Sequence, residues 1–530
     1  MGSQAKVSGM ADIRLRLNEL AVDDWKSIGN RNFVLKRYEE AVIAYTKGIE
    51  QGVNLIDLLA NRSACYLALS EHKLALDDAE SVLYMDEKHF KCINRKVAAL
   101  FGMKLYKDAV AYLENIKLDS IQPNDRRILV GLKTRANSYV SQSEHGDYPW
   151  LYRREIKYLD MADFTKSVII KDSAIKGRGL FATKTIQPGE LILASKAWAY
   201  VEDTIPNAWH FGQKSLMLGI NSKLTEQMEQ MLNENPKKRQ ELYRLYAGPE
   251  LGFLPFEQGV TPNVEIIDKK RIESISTYNR FAYNEPIDEI TKRMAGIWIT
   301  PSYLNHSCVD SNSSWLIIGD FLFVRAVHTI RKDEEILICY QPPNELNAHK
   351  SLRDTYDFIC SCRLCQRDRL DDESVVATRA TIFNQLETAL GKFKIPSQLR
   401  MKKEDERKIL GLFRSFERTR RDAPELNCCL FYELLLFGVF QIKLLEFVNV
   451  ANTFEKLYKM CENIPTYSLI AVEACMQLVM SNAAARKFQN AQIWLRVLKK
   501  KAVITFGTDK MLEIKYPTYM NLIRANGLNV

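Results

Sequence analysis

The sequence lacks the features that mark fibrous, disordered or membrane-spanning chains. Its 530 residues include only 23 Gly and 16 Pro, too few for a collagen-like or low-complexity protein. The most apolar window, residues 428–447, is interrupted by Glu433, Gln441, Lys443 and Glu446, which a lipid-spanning helix would hardly tolerate. We therefore expect this window to form a buried helix, and we expect no membrane partner.

Long blocks of one charge are also missing. The 74 basic and 65 acidic residues are interspersed along the chain, and the net charge of +9 favours acidic partners in general. This distribution does not indicate direct binding of nucleic acid. A chain of 530 residues is too long for one hydrophobic core, so we expect several domains.

The N-terminal segment has no apolar run of the length that a secretory signal requires. The chain contains 11 cysteines. Without a secretory signal they predict a reducing compartment, the cytoplasm and/or the nucleus. Clustered thiols in such a compartment bind metal more often than they form disulfides, so the spacing of the cysteines is informative.

An internal repeat occupies the first part of the chain. An offset of 34 residues aligns small and ring-bearing side chains in three successive units: Ala41, Ala75 and Ala109, and Tyr38, His72 and Tyr106. This period is that of tetratricopeptide repeats, whose small residues let the two helices of a hairpin approach closely. We expect a flexible tail over 1–21 and three such repeats over 22–145.

Polar residues recur at the repeat positions that face the inner groove of such an array: Lys26, Asn30, Asn61, Lys91 and Arg95. This set resembles the dicarboxylate clamp of co-chaperone repeats. The resemblance implies that these residues bind the acidic C-terminal tail of a heat-shock chaperone through charge-assisted hydrogen bonds. The alternative is that they are ordinary solvated side chains on the surfaces of the helices.

The middle of the chain changes to short β-rich segments separated by tight turns. Three motifs follow one another along it: Gly177-Arg178-Gly179, Asn305-His306-Ser307-Cys308, and EEILICY ending at Tyr340. The first motif alone would mark only a tight turn. Together with a later cysteine cluster, their order resembles the SET domain of protein-lysine methyltransferases related to the SET and MYND family. We expect this domain to cover 160–366.

The cysteine cluster is the run Cys360, Cys362 and Cys365, which is too tight for mutual disulfides but suits thiolates around one metal ion. The resemblance supplies Cys308 as the fourth ligand. It implies a closed, structural zinc site in a cap over about 356–366, beside the active site. The alternative is four unrelated buried or free thiols.

The resemblance further implies transfer of a methyl group from S-adenosylmethionine to a lysine side chain of a protein substrate. Tyr340 would be the catalytic tyrosine that orients the amine. The residues expected at the cofactor are Lys176, Gly177, Arg178, Gly179, Asn279, Asn305, His306, Tyr340, Tyr356 and Phe358. Two alternatives stay open: the aromatics at 356 and 358 could be the core of the metal cap, and Asn279 could be a turn or cap residue.

The sequence departs from the family at the insertion, after the NHSC motif, and at Cys339, where the family often has a polar residue before the tyrosine. No cysteine lies between Cys92 and Cys308, so the long insertion cannot be a MYND finger; its residue pattern predicts a helical insertion over about 201–285. After the NHSC motif the expected asparagine comes one place late, at Asn312. This change leaves a second hypothesis open: a weak or inactive SET fold that serves as an adaptor or co-chaperone through its repeats.

Apolar residues at helical spacing, divided by prolines, predict an all-helical domain over 370–530. The fold class that follows from all segments is α+β and multidomain: helical repeats, a β-rich domain with a helical insertion and a four-cysteine cap, and a helical C-terminal domain.

Overall fold

The computed structural model folds into two compact units, Met1–Asp147 and Tyr148–Val530. The described residues are 22–52, 54–116, 122–148, 157–206, 216–235, 238–253, 267–287, 290–343, 346, 348–393, 401–462 and 464–528. The tail predicted over 1–21 lies outside them.

The first unit consists of helices alone in its described part. They are α1 (Val22–Val34), α2 (Tyr38–Glu50), α3 (Leu55–Ala68), α4 (His72–Met85), α5 (Phe90–Gly102), α6 (Tyr106–Glu114) and α7 (Pro123–His145). The first six form three successive hairpins, and the inner helices pack in a row, α1 against α3 and α3 against α5. This arrangement is the one that the 34-residue period predicts.

The small residues of the period lie where the helices touch. Ala41, Ala75 and Ala109 are fully buried. A Cβ atom on Gly29 would lie 2.3 Å from the ring of Tyr45, so only glycine permits this close contact between α1 and α2. The repeat signal in the sequence is therefore a packing signal.

One turn geometry joins the helices of each hairpin. Lys36, Ser70 and Lys104, spaced at the same period, all have a left-handed backbone with φ of 58°, 60° and 59°. The same conformation recurs in the second unit at Leu445 and Arg486, with φ of 58° and 59°. The C-terminal helical domain thus uses the same hairpin turn, although its sequence shows no 34-residue period.

The strands of the second unit are short. They are β1 (Val168–Asp172), β2 (Arg178–Ala182), β3 (Leu191–Lys196), β4 (Ala199–Pro206), β5 (Phe281–Ile287), β6 (Ile290–Ile297), β7 (Asn305–His306), β8 (Ser313–Ile318), β9 (Phe321–Ala326) and β10 (Leu337–Ile338). They form the antiparallel sheets β1-β2, β3-β9-β8 and β4-β6-β5 and the parallel pair β10-β7.

The parallel pair matters most for the site. Its register sets Asn305 beside Leu337 and His306 beside Ile338. The NHSC motif therefore lies directly against the segment that leads into Tyr340. Two motifs about thirty residues apart in the sequence meet at one point of the fold.

Between β4 and β5 lie the helices of the insertion: α8 (Leu216–Glu234), α9 (Arg239–Leu242), α10 (Gly248–Leu251) and α11 (Lys269–Asn279). The apolar face of α8 is fully buried at Ile220, Leu224, Met228 and Leu232. The helices of the insertion lie within 216–279, a shorter range than the predicted 201–285. The reason is that β4 and β5 extend into the predicted range at its two ends. Both strands pair with β6, a partner later in the sequence that local periodicity does not reveal.

The rest of the second unit is helical, in agreement with the predicted C-terminal domain. Its helices are α12 (Ala348–Tyr356), α13 (Arg363–Leu370), α14 (Glu373–Gly391), α15 (Lys403–Arg418), α16 (Phe431–Lys443), α17 (Phe447–Cys461), α18 (Ser468–Ala484), α19 (Phe488–Phe506), α20 (Met511–Lys515) and α21 (Pro517–Ala525). Helical repeats, sheets and C-terminal helices together confirm the predicted α+β class.

The apolar window at 428–447 contains α16 and ends in the turn at Leu445. Its Gln441 is buried, and the side chain donates to Glu406 at 2.7 Å and accepts from Thr453 at 2.7 Å. The interrupting polar residue is therefore satisfied inside the helical core. Among the described residues, no helix is both long and apolar enough to cross a membrane.

Candidate functional site

A cavity in the second unit gathers most of the residues that were predicted to hold the cofactor. Lining it are Lys176, Arg178, Asn279, Asn305, His306, Tyr340, Tyr356 and Phe358. The two glycines of the GRG motif are not among the lining residues. Sequence reasoning missed further lining residues, mainly from the insertion and the segment before the NHSC motif: Ile175, Leu245, Tyr246, Phe253, Tyr278, Ser302 and Tyr303.

Glu335, which the sequence reasoning also missed, holds Asn305 in place. Its Oε1 accepts from the Asn305 amide at 2.7 Å, and its Oε2 accepts from the Ser173 hydroxyl at 3.0 Å. The same Asn305 amide nitrogen lies 3.3 Å from the carbonyl oxygen of Arg178. Both amide hydrogens have protein acceptors, so Asn305 has its carbonyl oxygen left to accept from a ligand's ammonium group.

The GRG glycines make room for this arrangement. A Cβ atom on Gly179 would lie 2.1 Å from Oε1 of Glu335 and 3.0 Å from the Asn305 amide nitrogen. Gly177 has a left-handed backbone with φ of 55°, and a Cβ there would lie 2.9 Å from the ring of Phe253. Both glycines are needed for the protein's own packing beside the cavity.

The basic residue of the GRG motif and the lysine that precedes it differ in their contacts. The Lys176 ammonium donates to the Asp357 carbonyl at 2.7 Å and the Tyr356 carbonyl at 3.3 Å, so it ties this loop to the end of α12. The Arg178 guanidinium lies over the ring of Tyr303, 5.0 Å from its centroid. Arg178 therefore brings a fixed positive charge to the cavity, whereas Lys176 mainly fastens its wall.

Tyr340 is held at both its backbone and its hydroxyl. The hydroxyl donates to the Leu304 carbonyl at 2.7 Å, and the backbone N–H donates to Nδ1 of His306 at 2.8 Å. Desolvation raises the pKa of Tyr340 far above its usual range. The hydroxyl therefore stays protonated at neutral pH and keeps a fixed orientation through its bond to Leu304.

His306 links this tyrosine to the cysteine cluster. Since its Nδ1 accepts from the Tyr340 backbone, the ring proton is assigned to Nε2, which lies 3.1 Å from Sγ of Cys308. The ring is 3% exposed, so little room remains for another orientation. One imidazole thus connects the cavity wall with the four cysteines.

The four cysteines come together as the resemblance implied. The Sγ atoms of Cys308, Cys360, Cys362 and Cys365 all lie within 4.8 Å of one another, and all four residues are buried. Cys308 Sγ is 3.4 Å from Cys365 Sγ and 3.8 Å from Cys360 Sγ. Tetrahedral zinc with Zn–S bonds of about 2.3 Å spaces its sulfur ligands roughly 3.8 Å apart. The donor set fits a structural zinc ion.

The chemistry of the cluster agrees with this fit. None of the four forms a disulfide. Hydrogen bonding with Cys308 lowers the pKa of Cys360 and that of Cys362, and hydrogen bonding with Cys360 raises the pKa of Cys308, so the four thiols share their protons unequally. Thiolate character is what a metal ion requires of its cysteine ligands.

Buried ion pairs fix the metal cap to the C-terminal helices. Asp371, next to α13, accepts from Arg379 and from Arg420, each at 2.8 Å, and all three side chains are at most 7% exposed. Arg420 also pairs with Asp368 of α13. These guanidinium–carboxylate contacts lower the pKa of Asp371 against the effect of its burial. The ion pairs therefore tie the end of α13 to α14 and to the residues that follow α15.

The aromatic residues before the cluster lie both at the cavity and against the core of the metal cap. The Phe358 ring lies 5.6 Å from the His306 ring, and the Tyr356 ring lies 5.2 Å from the Tyr340 ring. Both line the cavity and also pack against the core that contains the cysteines. Asn279 ends α11, and its amide donates to the Tyr246 carbonyl at 2.7 Å, so its structural role and its place in the cavity coincide.

The late asparagine after the NHSC motif is structurally used. The Asn312 amide donates to the Glu335 carbonyl at 2.8 Å, and its side-chain carbonyl accepts from the Leu337 backbone at 2.9 Å. It therefore holds the segment that carries both Glu335 and the approach to Tyr340. The altered flank of the motif leaves the cavity side chains in place.

The clamp residues of the first unit lie on its three inner helices, Lys26 and Asn30 on α1, Asn61 on α3, and Lys91 and Arg95 on α5. Asn61 donates to the side-chain oxygen of Asn30 at 3.1 Å, and Arg95 donates to the Ala60 carbonyl. Lys91 is exposed and pairs with no residue that the structure describes. The structure thus sets all five on one row of neighbouring helices.

Residues 177–341 match the SET domain family. The chain contains a SET domain. A protein of Gibberella zeae named Methyltransferase is 26% identical over 390 residues, which cover 67% of this chain and 53% of the relative. The chain thus matches about half the length of this relative, and the match reaches well beyond the SET domain itself.

The first unit has separate relatives. The Hsp70-Hsp90 organizing protein of Triticum aestivum is 31% identical over 126 residues, 24% of this chain and 21% of that protein. The crystal structure of the Sgt2 TPR domain from Aspergillus fumigatus matches with 28% sequence identity and a TM-score of 0.21. The match covers 24% of this chain and 85% of that chain. The chain combines a SET domain with N-terminal tetratricopeptide-like repeats, and its insertion carries no MYND cysteines.

Proposed function

We propose that the protein is an S-adenosylmethionine-dependent methyltransferase that modifies lysine side chains of a protein substrate. The observation that carries this proposal is the cavity in which Asn305, His306 and Tyr340 converge, each held by hydrogen bonds within the SET domain. When bound, the cofactor supplies an electrophilic methyl group. The residues of the chain have only to position the two reactants and exclude water.

The side chains suit that task. Asn305 offers a carbonyl oxygen to the ammonium of the cofactor's amino-acid end, and Arg178 offers positive charge to its carboxylate. The faces of Tyr340, Tyr356 and Phe358 suit an apolar ring and a developing positive charge on nitrogen. The substrate amine must arrive neutral, because neither Tyr340 nor His306 is available as a base. The Tyr340 hydroxyl is neutral and donates to Leu304, and both ring nitrogens of His306 already make hydrogen bonds.

We assign the four cysteines to a structural zinc ion. With four thiolates the coordination is closed and leaves no position for water or substrate. Its role would be to hold the cap, and through Cys308 and His306 the cavity wall, in one position.

We further propose that the groove of the first unit binds the acidic C-terminal tail of a heat-shock chaperone. Three cations and two amides line the row of inner helices, a set suited to carboxylates. The relatives named Hsp70-Hsp90 organizing protein and Hsp70/Hsp90 co-chaperone match this region, which supports a chaperone of these classes as the partner. Such binding would bring the methyltransferase to client or chaperone complexes.

The decisive experiment separates cofactor binding from methyl transfer. Wild type, Tyr340→Phe and His306→Ala are incubated with radiolabelled S-adenosylmethionine and a cell lysate, and cofactor affinity is measured by calorimetry. Tyr340→Phe removes only the hydroxyl bonded to Leu304, so we expect a roughly 10- to 100-fold lower rate at nearly unchanged affinity. Tyr200→Phe, a buried tyrosine outside the cavity, serves as control.

The outcomes distinguish the two hypotheses. Wild type that binds the cofactor but labels no protein would favour the adaptor, which acts through its repeats alone. Wild type that does not bind the cofactor would overturn the methyltransferase proposal. Mass spectrometry of the labelled proteins would identify the substrate and the modified side chain.

A further inference from the structure

The inner helices of the first unit carry equivalent pairs of groove residues, and one of the six positions breaks the chemical pattern. Each pair is spaced four residues apart: Lys26 and Asn30 on α1, Asp57 and Asn61 on α3, and Lys91 and Arg95 on α5. Offsets of 31 and 34 residues relate both members of each pair. Asp57 therefore occupies the repeat position at which its two neighbours carry lysine.

The first two pairs form parallel rungs between α1 and α3. In one rung, Nζ of Lys26 lies 2.5 Å from Oδ2 of Asp57. In the other, the Asn61 amide donates to Asn30 at 3.1 Å. Both rungs lie on the inner row of helices, where the proposed ligand would bind. The carboxylate of Asp57 is therefore already paired with Lys26, the cation that would bind one of the ligand's carboxylates.

The ion pair is open to exchange. The side chains of Lys26 and Asp57 are 34% and 54% exposed. Exposed ion pairs are weak, because water solvates both charges and salt screens their attraction. A ligand carboxylate can therefore displace Asp57 from Lys26, but it meets the repulsion of that aspartate as it approaches.

We propose that Asp57 is a built-in competitor that selects the tail bound in this groove. The inference rests on the proposed peptide binding. A tail that brings several negative charges to Lys26, Lys91 and Arg95 together displaces Asp57, whereas a tail with only its terminal carboxylate does not. The partner class is thus a C-terminal peptide with several negative charges. Peptides whose only negative charge is the terminal carboxylate are excluded.

The test uses the full-length chain and calorimetry with a glutamate-rich peptide that ends in aspartate with a free carboxylate. Asp57→Asn keeps the shape of the side chain and removes its charge. We expect the affinity to rise roughly two- to tenfold, the scale of a lost exposed ion pair plus a lost repulsion. In a Lys26→Ala background the gain in peptide affinity should shrink, because the lysine for which Asp57 and the ligand compete is absent.

Selectivity is the second measurement. A peptide in which neutral residues replace every glutamate and the final aspartate keeps only the terminal carboxylate. We expect Asp57→Asn to bind this peptide detectably and the wild type to bind it poorly. The matched control is Asp77→Asn, which removes the aspartate of an exposed ion pair with Lys73 on the outer helix α4, and it should change neither affinity.

Every outcome has a defined meaning. If the wild type binds the acidic peptide and Asp57→Asn binds it no more tightly, the competition is refuted, while peptide binding stands; weaker binding would mean that Asp57 orders Lys26. If neither protein binds any acidic peptide, both the peptide-binding function and the competition are refuted. A gain that is equally large in the Lys26→Ala background would refute the role assigned to the ion pair.

Discussion

The hydrogen bond between Glu335 and Asn305 should control how tightly the SET domain binds its cofactor. Glu335→Ala removes the 2.7 Å acceptor of the Asn305 amide and opens the space above Gly179. The amide can then rotate, and its carbonyl oxygen is no longer directed by the protein. Leaving a partly buried amide without its charged acceptor costs about 1 to 2 kcal/mol, or roughly 5- to 30-fold in cofactor affinity.

Calorimetric titration with S-adenosylmethionine measures this change directly. Steady-state kinetics should show a higher KM for the cofactor with kcat nearly unchanged, since Glu335 does not line the cavity. Glu335→Gln keeps an oxygen for Asn305 and should lose less than Glu335→Ala. Glu190 is an exposed glutamate whose carboxylate accepts from a nearby backbone N–H, that of Gln187, and it lies outside the cavity, so Glu190→Ala is the matched control.

A glycine substitution provides an independent check. The Cβ atom of Gly179→Ala would lie 2.1 Å from Oε1 of Glu335, so it should displace that carboxylate and reproduce the binding defect. If Glu335→Ala binds the cofactor as tightly as wild type while Gly179→Ala does not, the glycine serves the cofactor itself. The positioning role of Glu335 would then be wrong.

Three further predictions concern the metal, the groove and pH. Freshly purified protein should contain about one zinc per chain by elemental analysis, and Cys362→Ser should lose it, because a closed thiolate site needs all its ligands; metal-free wild type would contradict this. Arg95→Ala should weaken binding of the acidic peptide by about 1.5 to 3 kcal/mol, and an unchanged calorimetric affinity would refute the clamp. Burial lowers the pKa of His72, so the folded state favours the neutral ring and the stability of the first unit should fall as pH drops below about 6.5. His72→Tyr, which restores the aromatic of the other repeats, should reduce that fall in thermal unfolding scans at pH 7.5 and 5.5.

The sequence was most informative where function depends on side-chain identity at fixed spacing. The 34-residue period predicted the three hairpins because small residues must recur wherever the helices touch. The NHSC motif and the cysteine run predicted the SET domain and the four-cysteine cluster, which the family match and the geometry confirm. The lysine specificity, the chaperone partner and the location in the cell stay predictions.

Contacts between distant segments could not be read in advance. Glu335 belongs to the EEILICY motif but had no predicted role, yet it approaches Gly179 and Asn305 because β7 and β10 pair in parallel. Tyr246, Phe253 and Tyr278 belong to the insertion and carry no motif, yet they line the cavity. The turn at Arg486 repeats the hairpin geometry of the first unit without its period.

The sequence by itself determined which chemistry the protein can hold: thiolates for a metal, an NHSC motif for a SET domain, and groove residues suited to carboxylates. The tertiary structure decided which of these groups are available. Lys176 donates to a backbone carbonyl in the cavity wall, and the Asn305 amide donates to a glutamate of the protein. Lys26 is paired with Asp57. The reason is physical: composition and spacing fix the donors and acceptors, but only the packed chain determines which are satisfied internally and which remain for a ligand.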